Sequence, residues 1–192
     1  LGISHYYCKK YYNKKFVISF LMLILVLTTA KYHFRFNENK KFMELNNVEL
    51  NLAVDAIVLD KSLKGIKWIT SNYPKNPDEE LKKLLKIKNI ILSDNTKKIL
   101  ITDYQILPSI LKLKTYTPNK WFDDLSVPNM NNKYFKNYQE FFIKNLISQE
   151  IQTIYIFKGK EKYLKKILKK NCYNKKIINE ILFRFEVSNC LN

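Results

Sequence analysis

The chain contains one long apolar run, followed by shorter apolar segments that alternate with polar ones. The long run, Phe16 to Ala30 (FVISFLMLILVLTTA), carries no charge and has lysines on both sides. As a helix it rises roughly 22 Å, and extension through Phe34 with snorkelling lysines brings it near the hydrocarbon thickness of about 30 Å. Because no polar face interrupts the run, the pattern predicts a transmembrane helix over 16–34, after a basic, aromatic segment over 1–15.

Two alternatives to a membrane span stay open. A lysine-rich leader, the apolar run and the small residues Thr28 and Ala30 also fit a signal peptide cleaved after Ala30. A buried core helix is disfavoured, since no polar residue marks a solvent face. Basic residues are balanced on the two sides of the run, so the positive-inside rule predicts no orientation. Because position 1 is Leu, we expect a fragment or a processed product.

After an expected connector over 35–60, the pattern of segment 61–192 predicts one soluble domain in which strands and helices alternate. Amphipathic or capped segments predict helices after Asn76, near Pro108 and after Asn132, and at 160–170 and 177–182. The predicted strands are Ile66–Thr70, Lys98–Thr102, Ile151–Phe157 and Phe183–Val187. The fold class is therefore α/β, with a Rossmann-like, mainly parallel sheet that carries helices on both faces.

Polar residues follow three of the predicted strands. In a parallel sheet, ligands collect at the carboxyl ends of the strands, which makes Asn72, Asp103 and Lys158 weak candidates for substrate binding. A purely structural role is the stronger interpretation at this stage. Asp103 would then cap a helix that begins near Tyr104, and Lys158 would be a solvated loop residue.

Motifs that would identify a reaction are absent from the sequence. No GxGxxG or GxxxxGK[ST] cradle follows a strand, and no GxSxG nucleophile elbow occurs. The two histidines, His5 and His33, flank the apolar run, which excludes a Ser-His-Asp or Cys-His site within the domain. No CxxC pair suggests zinc. The sequence therefore predicts no catalytic residue, no metal and no cofactor.

The net charge is +17, with 34 basic residues of which only Arg35 and Arg184 are arginine. Nucleic-acid recognition normally uses arginine forks, so scattered lysines argue against a nucleic-acid partner. Lysines beside an anchor instead suit anionic headgroups, which makes membrane lipid the expected partner.

Cysteine usage offers one further hypothesis. Cys172 and Cys190 lie close to the end of the chain, where a disulfide would tie the closing strand to the preceding segment. Such a bridge requires an oxidising compartment. Two unrelated buried thiols are an equally acceptable interpretation.

Several motifs together resemble a known class of membrane protein. They are KYHFRFNENKKFMELNNVELN directly after the apolar run, then KWIT, NPDEE, PNMNNKYFKNY, IYIF and FEVSNC, which span roughly Lys31 to Cys190. This pattern resembles the C-terminal part of polytopic bacterial membrane proteins that are similar to GT-C glycosyltransferases of the dolichyl-phosphate-mannose protein mannosyltransferase type.

The resemblance implies a place and a setting for the domain. It implies the last transmembrane helix and a non-catalytic, extracytoplasmic accessory domain at the bacterial inner membrane, with a lipid-linked sugar or glycan acceptor reached through the full-length protein. The essential acidic residues of that family lie in a region that this sequence does not contain, so no residue inherits their role. The alternatives are a single-pass anchored binding module and a secreted α/β protein.

Overall fold

The computed structural model describes residues 14–35, 45–114 and 116–188. Helix α1, Lys14–Arg35, comprises 22 residues and would extend about 33 Å. Its apolar window is not buried at all, and large side chains such as Phe16, Leu21 and Leu25 are more than half exposed. A core helix would bury one face, so the core-helix alternative is wrong. Within the described residues, α1 is the one helix long and apolar enough to cross a bilayer, although a signal sequence would meet the same criterion.

The rest of the described chain forms a mixed α/β domain. Its helices are α2 (Pro77–Ser93), α3 (Ile106–Ile110), α4 (Phe135–Ser148) and α5 (Glu161–Ile167). Its strands are β1 (Val54–Asp55), β2 (Lys67–Trp68), β3 (Lys98–Ile101), β4 (Thr153–Phe157), β5 (Tyr173–Ile177) and β6 (Leu182–Val187). Single-turn 3-10 helices occur at Leu50–Leu52, Ala56–Val58, Lys61–Leu63 and Lys170–Cys172.

The main sheet has four strands in the order β3-β4-β6-β5. Strands β3 and β4 are parallel, with Ile99 beside Ile154, whereas β6 runs antiparallel to both β4 and β5. The sheet is therefore mixed, and the expectation of a mainly parallel sheet is not met. Only the β3–β4 pair, which is joined through α3 and α4, has the predicted parallel arrangement.

Two wrong local predictions explain this difference. The segment predicted as a helix at 177–182 is instead the turn of the β5–β6 hairpin, where the Asn179 side chain accepts hydrogen bonds from the backbone N–H groups of Ile181 and Leu182. The segment predicted as a strand at Ile66–Thr70 contributes only β2, which pairs antiparallel with β1 in a separate two-stranded sheet.

Helices cover both faces of the main sheet, as the sequence predicts. On one face, Ile99, Ile101, Ile154 and Ile156 pack against the buried side chains of α4 and α5. On the other face, Tyr155 and Phe157 pack against α2 and α3, whose buried residues include Leu84, Ile87 and Leu107. All five residues of β4 are buried, since this central strand has a helix layer on each side. Because β3 and β4 are parallel neighbours, their carboxyl ends meet at one edge of the domain.

A buried polar cluster connects α2 to the sheet at its opposite edge. The Asp94 carboxylate accepts hydrogen bonds from Tyr155 Oη at 2.7 Å and from the Thr96 backbone N–H at 2.8 Å, and Arg184 lies 3.5 Å away. Burial raises the pKa of Asp94, but these hydrogen bonds and the Arg184 charge outweigh burial and leave that pKa below its ordinary value. The carboxylate therefore stabilises the fold in its ionised form.

Cys172 lies at the start of the closing hairpin and is disulfide-bonded. Cys8 and Cys190 lie outside the described residues, so the predicted bridge to Cys190 stays a prediction. The neighbouring backbone is favourable for it, because Ser188 N–H donates to Cys172 O at 2.9 Å.

Candidate functional site

A cleft of about 760 Å³ opens where β3 and β4 end. Its walls come from the end of β2 and the segment after it, the β3–α3 loop, the end of β4 and the turn before β6. The lining residues are Leu45, Trp68, Ile69, Thr70, Ser71, Asn72, Tyr73, Asp103, Tyr104, Gln105, Ile106, Phe157, Lys158 and Ile181. The cleft lies at the carboxyl ends of a parallel strand pair, the position at which α/β proteins commonly bind ligands.

The structure brings the three predicted site residues, Asn72, Asp103 and Lys158, to this one cleft. Asp103 does not cap a helix: its carboxylate lies 2.7 Å from Lys160 Nζ and is 64% exposed. The Tyr104 N–H is bonded to Thr102 Oγ1, the Gln105 N–H is bonded to the backbone carbonyl of Asp103, and α3 begins only at Ile106. The Asp103 side chain is thus held at the rim of the cleft by an ion pair.

Lys158 follows the last residue of β4 directly. Gly159, with a φ of 91°, turns the chain away behind it, a conformation that glycine adopts without steric cost. The Lys158 backbone N–H donates to Ile181 O at 2.9 Å, which fixes the main chain at this point. Its exposed ammonium makes no hydrogen bond or ion pair to any residue in 14–35, 45–114 or 116–188. The cleft therefore presents one uncompensated cation.

Aromatic rings form one side of the cleft. Trp68 and Tyr104 are stacked with ring centroids 6.2 Å apart, and Tyr104 meets Phe157 at 5.3 Å in a tilted arrangement. We call these three residues the aromatic wall. Contacts of this kind keep the rings in fixed orientations. Each pair contributes about 0.5–1.5 kcal/mol to stability in addition to the effect of burying apolar area.

A buried carboxylate supports the aromatic wall. Glu80 on α2 is only 1% exposed, and it accepts hydrogen bonds from Trp68 Nε1 at 2.8 Å and Tyr104 Oη at 2.7 Å. Thr70 Oγ1 donates to both of its oxygens, at 2.9 and 3.0 Å. Each of the three donors lines the cleft, whereas Glu80 lies behind them. Glu80 is therefore a positioning residue for the cleft lining.

Tyr104 is kept protonated by this arrangement. Burial raises its pKa above the ordinary value, and the hydrogen bond to the Glu80 carboxylate raises it further, while the nearby Asn72 side chain acts in the opposite direction. Tyr73, which also lines the cleft, accepts a hydrogen bond from Lys83 Nζ at 3.2 Å. Lys83 in turn pairs with Glu79 at 2.8 Å, so α2 orients both tyrosines of the cleft.

Sequence reasoning missed Glu80 and Trp68, and it did not select Tyr104, which follows a predicted strand, as a site residue. Glu80 belongs to an acidic triplet, Asp78 to Glu80, which the sequence explains fully as a favourable charge at a helix N-terminus. The one available signal was its place on the helix: Leu81, Leu84 and Ile87 are buried, and Glu80 lies one turn before Leu84 on the same face. A carboxylate on the apolar face of a helix indicates buried hydrogen-bond donors.

Within the described ranges, no group of three or more His, Cys, Asp or Glu side chains is arranged to hold a metal ion. Comparison with protein-family models, curated proteins and solved structures finds no match to this chain. The resemblance to GT-C glycosyltransferases therefore stays a prediction that rests on the motifs quoted above. The functional argument depends on the geometry of the cleft.

Proposed function

We propose that this protein is a membrane-anchored binding domain. In this proposal α1 lies in the bilayer, and the cleft at the carboxyl edge of β3 and β4 binds a small ligand in the aqueous phase. The cleft carries the proposal, because it combines a volume typical of ligand sites with a free cation, an aromatic wall and polar groups held by their neighbours. The exposed apolar surface of α1 supports a membrane anchor, since contact between so much apolar surface and water is unfavourable.

The anchor is tested by fractionation of cells that express the full chain. We expect the protein in the membrane pellet after an alkaline carbonate wash. Leu23→Lys together with Val26→Lys adds about 2.5–3.5 kcal/mol per charge to membrane insertion and should move the protein to the supernatant. Leu92→Lys, at a side chain that is 55% exposed on α2, is the matched control and should stay in the pellet.

Two outcomes of this experiment would contradict the anchor. Wild-type protein found in the supernatant with its N-terminal segment uncleaved would mean that α1 does not hold the chain in lipid. A mature N-terminus at Lys31 would mean that the segment is a signal peptide and would favour the secreted protein.

Ligand binding is tested by a thermal-shift screen of a metabolite library on the full chain in detergent. A ligand that stabilises the wild type should stabilise the Asn72→Ala and Lys158→Ala variants less, because the stabilisation by a bound ligand grows with the logarithm of its affinity. Asn145→Ala and Lys144→Ala, on the opposite helix layer, are the matched controls. If every stabilising compound acts equally on all variants, the cleft is not the binding site.

The resemblance adds a more specific proposal, in which this domain is the extracytoplasmic accessory part of a polytopic glycosyltransferase-like protein of the bacterial inner membrane. The order along the chain, with an apolar helix before a folded domain, supports this setting. The domain would then help to hold a lipid-linked sugar or glycan acceptor without chemistry of its own. The genomic reading frame upstream of Leu1 tests it: several further hydrophobic spans are expected, and a start codon immediately upstream would contradict it.

A further inference from the structure

We propose that the cleft binds an aromatic anion: the negative group lies at Lys158 and the ring lies along the aromatic wall of Trp68, Tyr104 and Phe157. This inference rests on the proposed binding function of the cleft and names the chemical class of its ligand. It follows from the balance of charge in the cleft, from the aromatic surface in the same lining and from the volume of the cleft.

The charge balance favours an anionic ligand. The Asp103 carboxylate at the rim is neutralised by Lys160, whose side chain is only 16% exposed and is held in addition by the Phe122 carbonyl at 2.9 Å. The Glu80 carboxylate lies behind the aromatic wall, with both oxygens occupied by three donors. Lys158 alone among the charged lining residues has no partner within the described chain, so an incoming anion meets an uncompensated cation.

The aromatic wall favours a flat ring. Aromatic faces and edges bind ligand rings by offset or edge-to-face stacking, and stacking of a nucleobase on a protein aromatic is worth about 1–3 kcal/mol. Glu80 fixes the polar ends of Trp68 and Tyr104, so these rings need little further ordering when a ligand binds. Phe157, the last residue of β4, immediately precedes Lys158 in the chain, and both residues line the cleft.

The size and the polar rim of the cleft also fit this class. A volume of about 760 Å³ is far larger than an inorganic anion requires and lies within the range of about 300–1,000 Å³ that is usual for small-molecule sites. The Ser71 hydroxyl and the Asn72 amide lie on the same lining and supply donors and acceptors for polar substituents of the ring. A ring and an anion in one molecule therefore use more of the cleft than either alone.

The test uses Trp68 as the reporter. Trp121, the second tryptophan, does not line the cleft, so the Trp121→Phe variant of the full chain in detergent contains Trp68 as its single tryptophan. Uridine monophosphate and benzoate are the anionic probes, which represent a nucleotide and an aromatic carboxylate. Uridine and benzamide are their neutral counterparts, and inorganic phosphate is the anion without a ring.

We expect saturable quenching of Trp68 by at least one anionic probe, with an affinity about tenfold higher than that of its neutral counterpart and of inorganic phosphate. Lys158→Ala should remove this preference for the anion and leave the neutral probe unchanged. Lys144→Ala, on α4, is the control and should leave all affinities unchanged. Uridine monophosphate and benzoate distinguish a nucleotide ligand from an aromatic acid.

Two results would overturn the inference: no saturable quenching by either anionic probe at millimolar concentration, or equal binding of the anionic and neutral probes. These outcomes are distinguishable from a failure of the proposed function. If the thermal-shift screen finds a ligand that depends on Asn72 and Lys158 but has no charge or no ring, the cleft is a binding site and only the ligand class is wrong.

Discussion

Glu80 offers the sharpest test of how the cleft is built, because one buried carboxylate orients three lining side chains. Glu80→Ala removes the acceptor of Trp68 Nε1, Thr70 Oγ1 and Tyr104 Oη together. A buried donor left without a partner costs about 1–3 kcal/mol. The three donors are only partly buried and border the open cleft, so water can reach them and the lower end of that range applies. We therefore expect a loss of about 3 kcal/mol in the free energy of unfolding.

Glu80→Gln separates the shape of the side chain from its charge. The amide oxygen can still accept from Trp68 Nε1, and the hydroxyl of Tyr104 can rotate to accept from the amide nitrogen. We expect the free energy of unfolding of this variant to fall by only about 1 kcal/mol. Most of the hydrogen bonds remain, but a charged acceptor no longer strengthens them. Glu80→Ala should therefore destabilise the protein more than Glu80→Gln.

The assay is urea unfolding of the full chain in detergent, followed by circular dichroism and by Trp68 fluorescence in the Trp121→Phe background. Glu79→Ala is the matched control, since Glu79 is the preceding residue of α2 and makes only a partly exposed pair with Lys83. That variant should change stability by no more than about 0.5 kcal/mol. If Glu80→Ala and Glu79→Ala have equal effects, Glu80 does not hold the aromatic wall.

Three further predictions concern the core, the polar cluster and the disulfide. Phe142→Ala should cost about 3–5 kcal/mol in urea unfolding because Phe142 is buried, whereas Phe141→Ala, at the exposed neighbour, should cost little. The pKa of Asp94 lies below its unfolded value of 3.8, so its stabilisation is present above that pH and is lost as the pH falls further. Asp94→Asn should therefore be less stable than the wild type at neutral pH and lose less stability on acidification; an equal loss in both would contradict the role of Asp94. Cys172→Ser should reduce stability by about 2–4 kcal/mol in the absence of reductant, whereas Cys8→Ser should not, and the difference should disappear with dithiothreitol.

Most individual elements of the fold could be predicted from the sequence, because their signals are local. Pro77 and the acidic residues after it mark the start of α2, and the uncharged runs ILIT at β3 and IYIF at β4 mark buried strands. The antiparallel hairpin of β5 and β6 was missed because β5 reads YNKKI, a mostly exposed edge strand without an apolar face. Lysines on an edge strand prevent pairing with other chains, but they also hide the strand from a pattern-based prediction.

The place of the cleft could be predicted, but its construction could not. Asn72, Asp103 and Lys158 were accessible to sequence reasoning because each follows a predicted strand, and the parallel pairing of β3 and β4 brings the last two together. Asn72 lines the same cleft although the strand that it follows lies outside the main sheet. The position of β2 beside the cleft depends on the hydrogen bonds of Trp68 and Thr70 to Glu80, across sequence separations of 12 and 10 residues.

Those hydrogen bonds suggest why a carboxylate is retained where an apolar side chain would pack with less desolvation. Burial of Glu80 is costly unless its oxygens are fully bonded, and they are bonded by donors from β2, from the segment after it and from the β3–α3 loop. An apolar residue at this position would leave Trp68, Thr70 and Tyr104 without a common acceptor and free to turn. One charge on α2 thus joins the β2 segment to the β3–α3 loop, between which the described residues form no backbone hydrogen bond. It does so directly behind the surface that we propose binds a ligand.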